Sequence, residues 1–207
     1  MKEISILIGG EAGDGVKVGG RNIARLLNRW GHRVFVYDDY QSLIRGGHNF
    51  NIIRASEEPV FAHKEAIDVL IALNGETYDT HRHRLKTGGV VLYDSEEVDA
   101  DEGIAVPFAA IVKEADGIRA MKSTAALGAA AKSLNIDVSV LEQTLADAGK
   151  KVDLNRRIAR EAFDQAGNSP LTLERIDRDP LPLTTENQAM ALGAVQDGLK
   201  TYLAYPM

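Results

Sequence analysis

A glycine-rich segment near the amino terminus carries the most distinctive chemistry of this sequence. It runs Gly9-Gly-Glu-Ala-Gly-Asp-Gly15 and lies between an apolar run and a helical pattern. In α/β proteins such a turn places backbone N–H groups and a helix amino terminus around a phosphate. Its spacing is G-G-x-x-G-x-G, whereas dinucleotide-binding turns have G-x-G-x-x-G. The alternative is that the glycines serve a tight turn with close contact between helix and sheet.

Two acids within this turn, Glu11 and Asp14, oppose the binding of an anion, because like charges repel at short range. Lys17 is the nearby cation that could offset them. Asp38 or Asp39 could bind a ribose hydroxyl from the end of the next predicted strand, but each could equally cap a backbone segment or remain solvated. The residues alone therefore leave nucleotide binding and a structural turn both open.

A second polar cluster, Tyr40-Gln-Ser-Leu-Ile-Arg-Gly-Gly-His-Asn49, combines an arginine with two glycines. Arg45 can pair with an anion or a carbonyl, and Gly46 and Gly47 let backbone N–H groups converge. The cluster follows the second predicted strand, so it should lie at the carboxyl edge of the sheet, where open α/β folds bind ligands. The same residues could form a buried loop or a subunit contact.

The composition excludes several kinds of site. The chain has no cysteine, so no thiolate can bind an iron–sulfur cluster or a structural zinc, and no disulfide can form. The five histidines show no metal-ligand spacing, and we expect His81 and His83 to be solvated on a helix surface. The formal net charge of −6 argues against nucleic-acid binding through overall charge. No apolar run is long enough to cross a bilayer, and the amino terminus does not read as a secretory signal, so we expect a cytoplasmic protein.

The elements that must position these residues alternate along the chain. Strands are predicted at five apolar runs, which are residues 4–8, 34–37, 69–73, 90–93 and 104–107. A helix with a buried stripe lies between the first two strands and completes a βαβ unit, which predicts parallel strands and a right-handed crossover. Residues 50–56 and 60–61 predict a hairpin-type excursion. After the last predicted strand, a largely helical stretch extends to about Gly167. The predicted fold is therefore a layered, Rossmann-like α/β domain with a mostly parallel, mixed sheet and a helical carboxyl-terminal part.

The order of these motifs resembles the gamma subunit, or gamma domain, of 2-oxoacid:ferredoxin oxidoreductases. The likeness covers roughly residues 3–135 and includes both glycine clusters, Ser56-x-Glu-Pro-Val60, the run Asp68–Asn74 and the run Leu85–Asp94. The resemblance implies an enzyme that decarboxylates a 2-oxoacid, of the 2-oxoglutarate or pyruvate type, on thiamine diphosphate. Its electrons would pass through iron–sulfur clusters to ferredoxin, and its product would be an acyl-CoA. This chain would be one component of that enzyme and inactive alone.

The resemblance also implies which residues form a site. By position, six residues would contact coenzyme A or a partner domain: Gly10, Gly13, Gly15, Arg45, Gly46 and Gly47. No catalytic residue and no metal site is expected in this chain, and thiamine diphosphate and the iron–sulfur clusters would lie elsewhere in the complex. Two residues depart from the family pattern. Asp14 stands where relatives often have glutamine, and Ser123 stands where many have asparagine.

The last part of the chain resembles the start of the thiamine-pyrimidine domain of the alpha subunit, through the run Asn187–Val195 and Tyr205-Pro-Met207. We therefore expect a gamma-type domain over residues 1–170, an extended linker over 171–185 and the cut-off beginning of an alpha domain over 186–207, as in fused alpha subunits of the 2-oxoglutarate type. The apolar residues of that last segment should pack on the domain, pair with a neighbouring copy or be poorly ordered.

The partners implied are the beta subunit, the remainder of the alpha subunit, ferredoxin through the complex, and other copies in an oligomer. Neither nucleic acid nor a membrane is expected to bind. Two other functions stay open on the residues alone: a stand-alone nucleotide-binding α/β module and an NAD-dependent oxidoreductase.

Overall fold

A computed structural model describes residues 1–40, 47–147 and 151–205. Across these ranges the chain forms a sheet of six strands in the order β2-β3-β1-β4-β5-β6. The strands are β1 (Glu3–Glu11), β2 (Arg33–Asp39), β3 (His48–Ser56), β4 (Ile67–Ala72), β5 (Leu85–Asp94) and β6 (Ile104–Val106). The strands β1, β4, β5 and β6 are neighbours in this order and run parallel to one another. Only β3 runs antiparallel to the two strands beside it, β1 and β2. The predicted mixed, mostly parallel α/β sheet is confirmed.

The position of β3 differs from the sequence prediction. β1 and β2 run in the same direction, but β3 lies between them and pairs with both. The predicted hairpin-type excursion is therefore wrong: residues 50–56 belong to an inner strand, and Val60 and Phe61 lie in no strand. The physical reason is that β3 is apolar on both faces. Ile53 is buried under the helices of one face and Ile52 in the cluster of the other, which only an inner strand allows.

Most helices cover one face of the sheet and enclose the larger core. They are α1 (Val16–Arg29), α3 (Phe108–Glu114), α4 (Lys122–Ser133), α5 (Val138–Ala146) and α6 (Val152–Gln165). Within α4 every residue except Lys132 is buried, which makes it the central helix of this layer. Its contact with α6 requires Gly128, because a Cβ there would overlap the carbonyl oxygen of Ala159.

The opposite face is covered less completely. Five buried residues form its core: Leu7, Ile52, Ile67, Leu70 and Val91. The short helix α2 (Gly75–His81) packs over part of this face. It begins at Asn74, whose Oδ1 accepts a hydrogen bond from the N–H of Thr77 at 3.0 Å. A 3₁₀ turn at Arg82–Arg84 then leads into β5.

Residues 171–185, called the strap below, form no helix or strand and are held against the domain. Leu173 is only 1% exposed, and its carbonyl accepts a hydrogen bond from Trp30 Nε1 at 2.9 Å. Further along, the carbonyl of Leu181 accepts from Asn28 Nδ2 at 2.7 Å. The strap also meets the amino terminus, because the ammonium group of Met1 donates to the carbonyl of Thr172 at 2.8 Å.

The segment after the strap forms α7 (Glu186–Gln196). Thr185 caps this helix through a complete capping box with Gln188, in which each side chain accepts a hydrogen bond from the backbone N–H of the other residue. No residue of α7 is buried. Its large apolar side chains and those that follow are exposed, namely Met190, Leu192, Val195, Leu199, Tyr202, Leu203 and Tyr205. Of the three outcomes expected for this segment, packing on the described part of the domain is not the one observed.

In the ranges that the structure describes, no helix combines the length and the apolar character needed to cross a membrane.

Candidate functional site

The chain leaves the sheet in opposite directions on either side of one crevice. After β1 it enters α1, which lies over the larger core, and after β4 it enters α2, which lies on the other face. β1 and β4 are parallel neighbours, with Gly9 aligned to Ala72, and the N–H of Leu73 donates to the carbonyl of Gly9 at 3.0 Å. Ligands of open α/β sheets bind where neighbouring connections diverge in this way, outside the carboxyl ends of the strands. The glycine turn of residues 9–15 begins at the carboxyl end of β1 and leads into α1, so it lies at this place in the topology.

The three glycines predicted as contacts have different surroundings. A Cβ on Gly10 would lie 3.0 Å from Asp14 Oδ2, and a Cβ on Gly15 would overlap the carbonyl oxygen of Ala120. These two glycines therefore let the turn pack closely on its neighbours. Gly13 has a φ of +108°, and no atom of the described residues lies within 4 Å of the place where its Cβ would be. Its backbone is the part of the turn that a ligand can approach.

Both acids of the turn are paired with a residue far away in the sequence. Asp14 is fully buried; its Oδ2 accepts from the N–H of Glu11 at 2.9 Å and its Oδ1 from Nε of Arg119 at 2.7 Å. The guanidinium of Arg119 also donates from Nη2 to Glu11 Oε2 at 2.6 Å. These carboxylates raise the pKa of Arg119 further above its usual value. Sequence reasoning offered only Lys17, because nothing in the local pattern pairs Asp14 with a residue 105 positions later.

A buried lysine joins the ends of the central strands beneath the turn. Lys122 is 2% exposed, and its Nζ donates to the carbonyl of Leu73 at 2.8 Å. The same ammonium lies 2.9 Å from Glu97 Oε1 and 3.3 Å from Asp94 Oδ2. Burial raises the pKa of Asp94, while the charge of Lys122 opposes that rise. Lys122 thereby links the residues that follow β4 and β5.

A cleft of about 660 Å³ lies beside Arg119 and Lys122. Its walls include Ala109 and Val112 of α3, the exposed Lys113, and the side chains of Arg119 and Lys122. Arg119 thus faces the cleft and also binds both acids of the glycine turn.

The two described ends of the second glycine cluster, Tyr40 and Gly47, lie at the same edge of the sheet. The pairing of β1 with β3 sets Glu11 opposite His48, so Gly47 borders the glycine turn. Lys17 Nζ lies 5.7 Å from the ring centroid of Tyr40, which connects the start of α1 to the end of β2. The structure therefore brings Gly47 beside the first cluster. Arg45 and Gly46 lie outside the described residues, and their role stays a prediction.

A buried pair of histidines lies behind this edge. His48 Nε2 and His81 Nε2 are 2.7 Å apart, and both side chains are buried. The prediction that His81 is solvated is wrong, because α2 turns its ring toward the sheet, 4.6 Å from the ring centroid of Phe50. The spacing of His81 and His83 along the sequence did not indicate that His81 has a partner on a strand of the sheet. Burial lowers the pKa of His48, and burial together with His48 lowers the pKa of His81 to about 4.

We expect the free energy of unfolding to fall as the pH drops from 6.5 toward 4. In that window His81 binds a proton in the unfolded chain, at its ordinary pKa of 6.5, but stays neutral in the folded protein. The unfolded state then holds more protons, and stability must decrease as the pH falls, by an amount on the order of 2 kcal/mol for this group. Urea denaturation at a series of pH values would measure the slope. The variant His81→Asn should flatten it, whereas the control His83→Asn, at an exposed position, should not; equal slopes in all three proteins would contradict the assignment.

The sequence was compared with protein families and with curated proteins. The family described as pyruvate ferredoxin/flavodoxin oxidoreductase matches residues 5–165. Subunit KorC of 2-oxoglutarate synthase from Archaeoglobus fulgidus is 26% identical over 164 residues, which cover 79% of this chain and 88% of that subunit. The alpha subunit of 2-oxoacid:ferredoxin oxidoreductase 2 from Aeropyrum pernix is 29% identical over 126 residues, which cover 59% of this chain. The chain spans only 20% of the length of that second relative.

Solved structures show the same fold. The 2-oxoglutarate:ferredoxin oxidoreductase from Magnetococcus marinus, solved with 2-oxoglutarate, coenzyme A and succinyl-CoA bound, has a TM-score of 0.82 at 24% identity and covers 97% of this chain. This chain spans 38% of that one. The keto/oxoacid ferredoxin oxidoreductase gamma subunit from Geobacter sulfurreducens has a TM-score of 0.69 at 24% identity and covers 80% of this chain and 97% of its own. Because the family match extends over most of the sequence, the chain belongs to the pyruvate ferredoxin/flavodoxin oxidoreductase family, as the order of its motifs predicts.

Proposed function

We propose that this chain is the gamma-type component of an enzyme that oxidatively decarboxylates a 2-oxoacid, of the 2-oxoglutarate or pyruvate type, to an acyl-CoA with ferredoxin as electron acceptor. Its own contribution is a contact for coenzyme A and surfaces for subunit assembly. The observation that carries the proposal is that the family segment, residues 5–165, forms a crevice in which the approachable Gly13 lies just before the amino terminus of α1.

The residues of the crevice fit a phosphate group of coenzyme A. α1 is 14 residues long, its cap Gly15 has no side chain to occupy the first N–H groups, and its first turn contains no acidic residue. Those N–H groups have no partner within the helix, and the helix dipole favours an anion there. Lys17 adds a cation in the same turn. Asp14, which the sequence presented as an obstacle, is buried and paired with Arg119.

Redox chemistry is assigned to other parts of the complex. Coenzyme A, when bound, supplies the thiol that accepts the acyl group. Thiamine diphosphate and the iron–sulfur clusters would be held by the beta subunit and by the remainder of the alpha subunit, since this sequence has no cysteine to ligate a cluster. Ferredoxin would meet the assembled complex, not this domain alone.

For the chain's organisation we propose a gamma-type domain over residues 1–170, a connecting segment over 171–185 and part of a thiamine-pyrimidine domain over 186–207. Two observations support this division. The longer Magnetococcus chain covers 97% of this chain, against 80% for the separate Geobacter gamma subunit. The apolar residues of α7 and of the segment after it are exposed, as expected of a surface that another domain covers.

Thermal unfolding in the presence of coenzyme A, NAD, FAD or ATP tests the proposal. A ligand that binds only the folded state at about ten times its Kd adds about 1.4 kcal/mol of stability, which raises the Tm by a few degrees. We expect a shift of this size with coenzyme A and none with NAD. A larger shift with NAD would favour an NAD-dependent oxidoreductase, and a shift with ATP alone would favour a nucleotide-binding module.

A pair of variants locates the contact. Lys17→Glu places a negative charge in the first turn of α1 and should abolish the shift with coenzyme A. Arg21→Glu makes the same change on an exposed position one turn further along, where the influence of the helix terminus has fallen off, and should retain most of the shift. Equal losses in both variants would argue against a site at the helix terminus.

A further inference from the structure

Arg119 is the one residue that reaches both acids of the glycine turn within the part of the chain that the structure describes. It lies in a 3₁₀ turn that precedes α4, and its side chain is 53% exposed. Nε binds the buried Asp14, and Nη2 binds Glu11. The rest of its surface forms part of the wall of the cleft. Its charge is therefore presented where the turn opens to solvent.

The acid that Arg119 neutralises has a structural task of its own. Asp14 Oδ2 accepts the N–H of Glu11, and the N–H of Asp14 donates to the carbonyl of Glu11 at 3.0 Å, so the side chain closes the turn on itself. An acid at this position shapes the backbone around Gly13 but adds a negative charge beside the amino terminus of α1. Coulomb repulsion would weaken an anion's approach unless a cation lies close by.

Neither of the two other cations near the turn donates a hydrogen bond to its acids, within the part of the chain that the structure describes. Lys122 Nζ lies 3.9 Å from Asp14 Oδ1, but it is buried and bonded to Leu73 and Glu97. Lys17 lies over the ring of Tyr40. Direct hydrogen bonds to both acids come from Arg119.

We propose that Arg119 is a positioning residue that offsets one of the two negative charges of the glycine turn and so permits a phosphate group to approach Gly13. The inference rests on the proposed function in that it takes the phosphate to be that of coenzyme A. In this arrangement Asp14 fixes the shape of the turn, and Arg119 removes the electrostatic cost of having an acid there.

The experiment is a calorimetric titration of the 207-residue chain with coenzyme A and, separately, with inorganic pyrophosphate. Arg119→Gln should weaken binding of both ligands about tenfold at low salt, and less at high salt, where the charges of the turn are screened. Asp14→Asn keeps an oxygen to accept the N–H of Glu11 and should bind as tightly as the wild type or more tightly. The double variant has the same net charge in the turn as the wild type and should return to within about threefold of it.

Two further variants separate charge from shape. Arg119→Lys retains the charge and should recover most of the affinity that Arg119→Gln loses. Arg160→Gln is the matched control, because Arg160 lies on α6, is 49% exposed and also bridges two carboxylates, Glu142 and Asp164. It should bind both ligands as the wild type does.

The outcomes distinguish the inference about Arg119 from the proposed function. If the double variant binds as weakly as Arg119→Gln or more weakly, Arg119 acts through the shape of the turn and the inference is wrong, while binding of coenzyme A by the wild type leaves the proposed function standing. If pyrophosphate binds with the expected pattern but coenzyme A does not bind, the inference stands and the proposed function falls. Absence of binding by both ligands overturns both.

Discussion

Replacing Lys122 with methionine should lower the free energy of unfolding by about 3 kcal/mol at pH 7. Methionine fills a similar volume but leaves Asp94, which is fully buried, without its cation, and it leaves the carbonyl of Leu73 without this donor. Removing one partner of a buried ion pair is costly because the other charge stays in a poorly solvated place. Urea denaturation of the variant and the wild type would measure the difference.

The pH dependence of that difference has a definite sign. Without Lys122, the pKa of Asp94 should rise further, since burial already raises it and the lysine is the main opposing charge. A carboxyl group whose pKa is higher in the folded state contributes most stability when protonated and loses that contribution as the pH rises through its folded pKa. The deficit of Lys122→Met relative to wild type should therefore be smaller at pH 4 than at pH 7.

Two variants serve as controls. Lys122→Met with Asp94→Asn removes the uncompensated charge and should recover part of the stability. Lys113→Met alters a lysine of the same cleft that is exposed and makes no ion pair with the described residues, so its effect should stay within about 0.5 kcal/mol. A loss below about 1 kcal/mol for Lys122→Met would show that the ammonium group does not hold the strand ends together.

Removal of residues 171–207 should destabilise the domain by about 4 kcal/mol, whereas removal of 186–207 alone should leave the core intact. The longer deletion exposes the apolar surface that Leu173 covers and strips Trp30 Nε1 of its acceptor. It also uncovers Gly31, whose Cα faces the carbonyl of Ile176 so closely that a Cβ there would overlap it. Thermal unfolding of the two shortened chains would compare them directly.

Single substitutions can make the same test without shortening the chain. Leu173→Ala should cost about 2–3 kcal/mol, as is usual for a buried leucine. Leu183→Ala, on a side chain of the same strap that is 42% exposed, should cost less than about 0.5 kcal/mol. If the deletion of 186–207 also unfolds the domain, the boundary near residues 171–185 is in the wrong place.

Local patterns were sufficient for most of the elements and for the edge of the sheet at which the glycine turn lies. Short apolar runs identified β1, β4 and β5 because a strand buried on both faces is apolar throughout. The glycine turn was recognised because it separates such a strand from an amphipathic helix, and this order places it at the carboxyl edge of the sheet. The order of strands was not predictable in this way, since the apolar pattern of β3 does not specify which neighbours it pairs with.

What the sequence did not reveal depends on contacts between distant residues. Asp14 meets Arg119 only because the end of β1 and the turn before α4 come together in the folded chain. His48 and His81 lie on a strand and a helix whose spacing in sequence has no characteristic value. The strap has no hydrophobic period, and only the tertiary structure shows that Leu173 is buried and that its carbonyl accepts a hydrogen bond from Trp30. The predicted contacts of Arg45 and Gly46 stay predictions, because these residues lie outside the described ranges.

The hydrogen bond between Met1 and Thr172 has a consequence for how this domain can be joined to others. It places the first residue and the beginning of the strap side by side, at the end of β1 opposite to Gly13. Nine residues of strand separate the two ends of β1, or about 30 Å. A substitution or an attachment at this junction therefore acts at the far end of the central strand, a full strand length away from the glycine turn.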